Sequence, residues 1–185
     1  MEFIEVEKKV IPKRKNTSNR IGAKFEEELS EIFNDYFRSG DAYIKKIPVE
    51  ATVIRKFGKI VNVFYKDKSD SLDYQGVLKD GRFITFEAKT YKAFDKNRNS
   101  PLPFPLDNIA NYQYELAEKL SDYTDKIFYI IQARFQDHND TYIIHWKKIK
   151  EYKDESKRKS IPNEMLGKLG LKMETLDILN YIDQI

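Results

Sequence analysis

The amino-acid sequence predicts an α/β domain in which a mixed sheet is layered against helices. Three observations carry that expectation. Phe25, Leu29, Ile32, Phe33 and Tyr36 recur with a helical period near the N-terminus. Asp80-Gly81 stands between two runs of β-formers and supplies the positive φ that a tight hairpin needs. Residues 126–133 form a nearly continuous apolar run, the pattern of a strand buried on both faces.

Taken in order, the elements begin with a basic arm over residues 1–18, rich in lysine and poor in core-forming residues, and expected to be flexible. A helix is predicted over about residues 19–39, stopped by Gly40, and a strand over residues 43–47. Residues 50–69 interleave Val53, Ile54, Phe57, Ile60, Val61 and Val63 with lysines, and read on their own as two ordinary strands. The Asp80-Gly81 hairpin follows, then a helix capped by Asp107. Residues 126–133 and 142–146 are predicted as neighbouring strands, and short helices over the last forty residues. Residues 19–185 show no linker or repeat and are expected to form a single domain.

Composition narrows the classes of function. The chain has no cysteine, which removes disulfide frameworks and thiolate zinc sites and suits a reducing, cytoplasmic setting. Only His138 and His145 are present, so histidine-rich metal sites are excluded. The N-terminal residues are charged, without the apolar core of a signal peptide, and no stretch is long and apolar enough to span a bilayer. Net charge is only +3, but the basic residues are segregated. Lys13, Arg14, Lys15 and Arg20 mark the N-terminal arm; Lys45, Lys46, Arg55, Lys56 and Lys59 a central segment; and residues 147–159 a third cluster.

Residues 71–89 carry the chemistry, with one lone carboxylate, Asp73, ahead of the hairpin and Glu87-Ala88-Lys89 at its far end. Two registers are open. A two-residue turn sets Tyr74 opposite Glu87 and sends Asp73 to the other face. A three-residue turn with Gly81 left-handed pairs Leu78 with Arg82, sets Asp73 opposite Glu87 and Ser71 opposite Lys89, and turns all four to one face. The second is adopted here. Opposed carboxylates repel by roughly 0.2–1 kcal/mol or more, so a sequence that keeps them together implies a cation between them. Two carboxylates and neutral oxygens suit magnesium, with manganese as a substitute, in a phosphodiester-cleaving site. Lys89 then stands where it can position a water or stabilise charge on the transition state. Glu-x-Lys by itself is common on solvated strands, but here Phe83-Ile84-Thr85-Phe86 makes the strand apolar, and a buried carboxylate and lysine need partners.

An ordered set of residues is similar to RecU-type Holliday junction resolvases of the PD-(D/E)-x-K nuclease superfamily. The set comprises Asn19-Arg20, Phe25-Glu26, Lys45-Lys46 before Pro48, Asp73-Tyr74-x-Gly76, Phe86-Glu87-Ala88-Lys89, Phe104-Pro105-Leu106, Gln113 and Arg158-Lys159-Ser160-Ile161. The resemblance implies a restriction-endonuclease-like fold with a protruding stalk at about residues 50–69, and a structure-selective, magnesium-dependent endonuclease active in recombination and repair. It implies catalytic roles for Asp73, Glu87 and Lys89, and a metal site of Ser71, Asp73, Glu87 and Gln113, with Glu26 as a further candidate ligand. On the sequence alone, Gln113 interrupts the stripe Ile109, Leu116 and Leu120, where an inward glutamine needs a partner, a backbone group or the implied metal. In the stalk, Phe57, Phe64 and Tyr65 could stack on bases, while Arg55, Lys56 and Lys59 meet phosphates. The expected partners are four-way junction DNA, a second copy of the chain as homodimer, and a recombinase or branch-migration machinery. A restriction-like duplex endonuclease and a catalytically silent junction-binding or recombinase-modulating protein are the alternatives.

Overall fold

A computed structural model describes residues 6–8, 17–48, 51–65, 70–97 and 100–185, with side chains excepted at 6–8, 17–21, 51–52 and 64–65. In chain order the elements are β1 Val6–Lys8, α1 Thr17–Ser39, β2 Ala42–Lys46, β3 Ala51–Lys56, β4 Lys59–Tyr65, β5 Tyr74–Leu78, β6 Phe83–Lys92 and β7 Phe104–Pro105. They continue with α2 Asn111–Leu120, β8 Ile127–Arg134, β9 Asn139–His145, α3 Trp146–Ser156, β10 Ser160–Ile161, α4 Asn163–Leu169 and β11 Leu171–Met173. No helix among the described residues is long and apolar enough to cross a membrane.

A six-stranded mixed sheet in the order β11-β9-β8-β6-β5-β2 forms the centre. β8 runs parallel to β6 and antiparallel to β9, so the apolar run is the buried inner strand that the sequence predicts. Strand alternation divides the interior into two layers. On one face Ile84, Phe86, Phe128 and Ile130 pack against Phe25, Leu29 and Phe33 of α1. On the other, Ile127, Tyr129 and Ile131 pack against Tyr114 of α2, Ile149 of α3 and Leu166 of α4. Helix α1 ends as a Schellman motif: Gly40 has φ +76°, its N–H donates to the Phe37 carbonyl, and the Asp41 N–H donates to that of Tyr36.

The structure adjusts several expectations. Residues 1–18 are not wholly a free arm, because Val6–Lys8 pairs antiparallel with β3 and α1 already begins at Thr17. The unpaired edge of β3 offers a ready template for that extra strand. Lys13, Arg14 and Lys15 lie outside the described residues. The stalk segment forms the β3–β4 hairpin in a three-stranded sheet separate from the central one. Lys56 pairs with Lys59, so Phe57 (φ 52°) and Gly58 (φ 74°) make a two-residue turn with both φ positive. Helix α2 starts at Asn111, not at Asp107, which sits in a preceding 3₁₀ turn over Leu106–Asn108. The last forty residues include helices, but β10 pairs with β7 and β11 closes the sheet edge beside β9.

Candidate active site

The hairpin between β5 and β6 adopts the three-residue turn. Tyr74 pairs with Phe86 and Gly76 with Ile84, Leu78 N–H donates to the Arg82 carbonyl at 2.9 Å, and Gly81 has φ +88°. Alternating outward from the Leu78–Arg82 bond, the next position beyond Tyr74–Phe86 is a non-hydrogen-bonded one, where opposed side chains come closest. Asp73 and Glu87 occupy it, and the Asp73 N–H donates to Glu87 Oε2 at 3.1 Å. Gly76 sets the neighbouring spacing, since a Cβ there would lie 2.5 Å from the Tyr43 carbonyl oxygen.

Ser71 departs from the expected alignment with Lys89. The paired ladder ends at Tyr74, and Leu72 turns into the core on the α2 side, so the alternation that would place Ser71 breaks between residues 72 and 73. Ser71 is nevertheless buried, and its hydroxyl makes no hydrogen bond among the described residues.

Glu87 is only 3% exposed. Its Oε1 accepts from Lys89 Nζ at 2.8 Å, and it shares a side-chain hydrogen bond with Asp73. Burial, then the Asp73 charge, push the Glu87 carboxyl up to about 7, while Lys89 opposes the rise. Two carboxyl groups that share a hydrogen bond and resist joint ionisation form a focus that a divalent cation would relieve. Among the described residues no cluster of three His, Cys, Asp or Glu side chains occurs, so neutral oxygens and water must complete any coordination shell. That donor set fits magnesium, which keeps several waters.

Gln113 is buried at the first turn of α2, as its place in the apolar stripe implies. Its Oε1 accepts from the Ala110 N–H at 2.9 Å, the backbone partner that an inward glutamine calls for. This is half of a capping box, since alanine has no side-chain acceptor to return the bond. Glu26 forms an ion pair with Lys46 across α1 and β2. Lys45 Nζ lies 5.5 Å from the Tyr43 ring centroid. At the stalk tip Phe57 is 83% exposed, Lys56 Nζ stands 5.6 Å from its ring centroid, and Arg55 donates to the Gly58 carbonyl at 3.4 Å. Lys59 faces Lys56 across the turn, so the three cations and the aromatic ring share one tip. Phe64 and Tyr65 lie on β4 and Arg20 on α1, with side chains outside the described set.

Two tyrosines that the sequence did not single out for the site border the carboxylates. Tyr74 and Tyr129 have buried hydroxyls without a hydrogen-bond partner among the described residues, and both are pushed well above the usual phenol range, first by burial, then by the Glu26, Asp73 and Glu87 carboxylates at Tyr74 and by Tyr114 ahead of Glu87 at Tyr129. Tyr74 is visible in the sequence as the residue after Asp73. Tyr129 is not, because it joins the site only through the parallel β6–β8 register that aligns it with Glu87.

With this geometry in place, two comparisons apply. The family described as "RecU: Recombination protein U" matches residues 19–185. A relative named Holliday junction resolvase RecU, from Mycoplasmopsis pulmonis (strain UAB CTIP), is 29% identical over 149 residues, which cover 79% of this chain and 82% of the relative. The family match spans the helix, the hairpin with its opposed carboxylates and the C-terminal edge strand, and on it the chain belongs to the RecU family.

Proposed function

We propose that this chain is a structure-selective endonuclease that resolves Holliday junctions during homologous recombination and repair. The carrying observation is the buried Glu87 carboxyl set against Asp73 and held by Lys89. Family membership and the relative's name support junction DNA as the substrate. Asp73 and Glu87, with the Ser71 hydroxyl and the Gln113 carboxamide, are the donors that would hold a magnesium ion, or manganese in its place. Gln113 Oε1 keeps a second lone pair beyond the one that accepts from Ala110. When bound, such an ion lowers the pKa of coordinated water and offsets charge on the scissile phosphate.

The chain's own residues supply the rest. Lys89 holds a fixed positive charge beside the carboxylates, aimed at the charge that develops on the phosphate, at no cost of reorganisation. Deprotonation of Glu87 near neutral pH gives the pair its full negative charge. The hairpin tip with Phe57, Arg55, Lys56 and Lys59 suits an element that stacks on splayed bases and meets phosphates at a branch point. A junction has two-fold symmetry and needs two symmetric cuts, which favours a homodimer with one site per subunit.

Cleavage of a synthetic four-way junction, compared with a linear duplex of the same sequence in magnesium and in EDTA, tests the reading. Paired, symmetric, ion-dependent nicks in the junction alone are expected. Equal cleavage of the duplex would make this a restriction-like enzyme. Junction binding without cleavage in either magnesium or manganese would make it a silent junction binder.

A further inference from the structure

On the opposite face of the sheet from Glu87, the ends of β6 and β8 and helix α1 enclose a cavity of about 290 Å³. Lys92 and Arg134 are ladder partners there, and Asn139 pairs with Arg134 from β9. Lys24 and Glu28 border it from α1, and Phe25, Phe94 and Phe135 form its apolar wall. Lys24 pairs with Glu28 at 3.6 Å, which leaves Lys92 and Arg134 without a carboxylate partner among the described residues. Lys92 Nζ instead lies 4.8 Å from the Phe94 ring centroid, and the Arg134 Nε is buried without a hydrogen-bond partner. Gln132, which also lines the cavity, is 5% exposed, and its carboxamide makes no hydrogen bond among the described residues. Among the described residues, a buried guanidinium Nε without a partner, a Gln132 carboxamide facing the cavity and an exposed lysine free of carboxylates, set beside aromatic rings, suit an anion with a flat apolar portion.

We propose that this cavity is a nucleotide-phosphate subsite, in which Arg134 and Lys92 hold the phosphate, Gln132 hydrogen-bonds the nucleotide, and the base lies against Phe94 and Phe135. Arg134 is the group an anion would most relieve, because burial lowers its pKa and an adjacent phosphate would restore it. The choice of a nucleotide over other phosphate esters rests on the nucleic-acid reading above. The site itself is separate from the carboxylates: Lys92 is five residues beyond Glu87 on one strand, about 16 Å at strand rise, and its side chain leaves the other face. The nucleotide comes either from a strand of the bound DNA or from the free pool.

Isothermal titration of the full chain in EDTA with thymidine 5′-monophosphate, unphosphorylated thymidine and a thymidine pentanucleotide tests this. The monophosphate should bind and thymidine should not. Arg134→Gln and Lys92→Gln should each weaken the monophosphate at least 10-fold, Arg134→Lys should recover part of the loss, and Asp73→Ala should leave it unchanged. The charge-retaining Arg134→Lys and the exposed Lys92→Gln keep the test valid if Arg134→Gln does not fold. Tighter binding of the pentanucleotide identifies a DNA strand as the source; equal binding identifies the free nucleotide. Equal binding of thymidine and its monophosphate, or binding that Lys92→Gln and Arg134→Lys both leave intact, overturns the proposal. Monophosphate binding lost in Asp73→Ala would place the ligand at the carboxylates and also overturn it. Junction cleavage measured on the parent chain reports separately on the nuclease reading, so the two can fail independently.

Discussion

Replacement of Glu87 by glutamine should stabilise the metal-free protein while removing its nuclease activity. The Glu87 carboxyl rises from 4.5 to about 7 on folding, which corresponds to about 3 kcal/mol of differential free energy between its protonated and charged forms. Because the folded value is the higher one, this contribution is fully present below about pH 4.5 and is lost as pH climbs through 7. At pH 8 the parent therefore carries an ionised, 3%-exposed carboxylate against Asp73, offset by the Lys89 ammonium and the Asp73 N–H. Glutamine preserves the shape and carries no charge, but its one carbonyl oxygen can take over only one of the two bonds that Glu87 accepts through separate oxygens, so keeping the Asp73 N–H bond turns the amide nitrogen toward Lys89. Part of the gain is returned through the weaker contact with Lys89, which leaves about 1–3 kcal/mol. At about 2–4 °C per kcal/mol for a chain of this size, Tm in EDTA at pH 8 should rise by roughly 2–12 °C. The difference should shrink towards zero at pH 5, where the parent's Glu87 is protonated. Circular dichroism melts of Glu87→Gln and parent at both pH values, with junction cleavage in magnesium alongside, provide the readout. A Glu87→Gln protein less stable than the parent at pH 8, or a stability gap independent of pH, would refute the claim that repulsion and burial strain this site.

Four other outcomes are expected. Lys89→Ala should lower junction cleavage about 10²–10³-fold in single-turnover assays while binding by gel shift stays close to the parent, since the loss falls on transition-state charge. Phe57→Asn should keep Tm or raise it slightly, because asparagine tolerates the φ of 52° better than phenylalanine, yet should cut junction-over-duplex discrimination by roughly 5–150-fold if the ring contributes one base stack of about 1–3 kcal/mol. Gly76→Ala should destabilise the fold by about 2–3 kcal/mol in urea titration, because the new Cβ meets backbone that cannot move aside. Junction affinity should fall roughly 10³-fold or more between 50 and 200 mM salt, if about six phosphates are neutralised by the basic clusters; a flat response in fluorescence anisotropy would count against them.

The opposed carboxylates were legible in the sequence because local physics decides them. Gly81 can take the left-handed φ that a three-residue turn demands, and once the turn length is set, period-two alternation places Asp73 opposite Glu87 with no tertiary information. Helix α1, with its stripe and its Gly40 terminator, and the largely apolar strand β8 were readable for the same reason. Ser71 marks where that reasoning stops. Leu72 gives up strand alternation to bury itself in the α2-side core, and burial outweighs continuation of a ladder that has already ended. The start of α2 was misplaced because Asp107 is a good cap by type, whereas the chain makes a 3₁₀ turn there and lets Gln113 satisfy the Ala110 N–H from within the helix. The pairing of Val6–Lys8 with β3, the edge strand β11, and the alignment of Tyr129 with Glu87 and of Lys92 with Arg134 were decided by tertiary structure alone. Each is a pairing between segments distant in sequence, where one register differs from another only through the packing of faces that a linear pattern does not bring together.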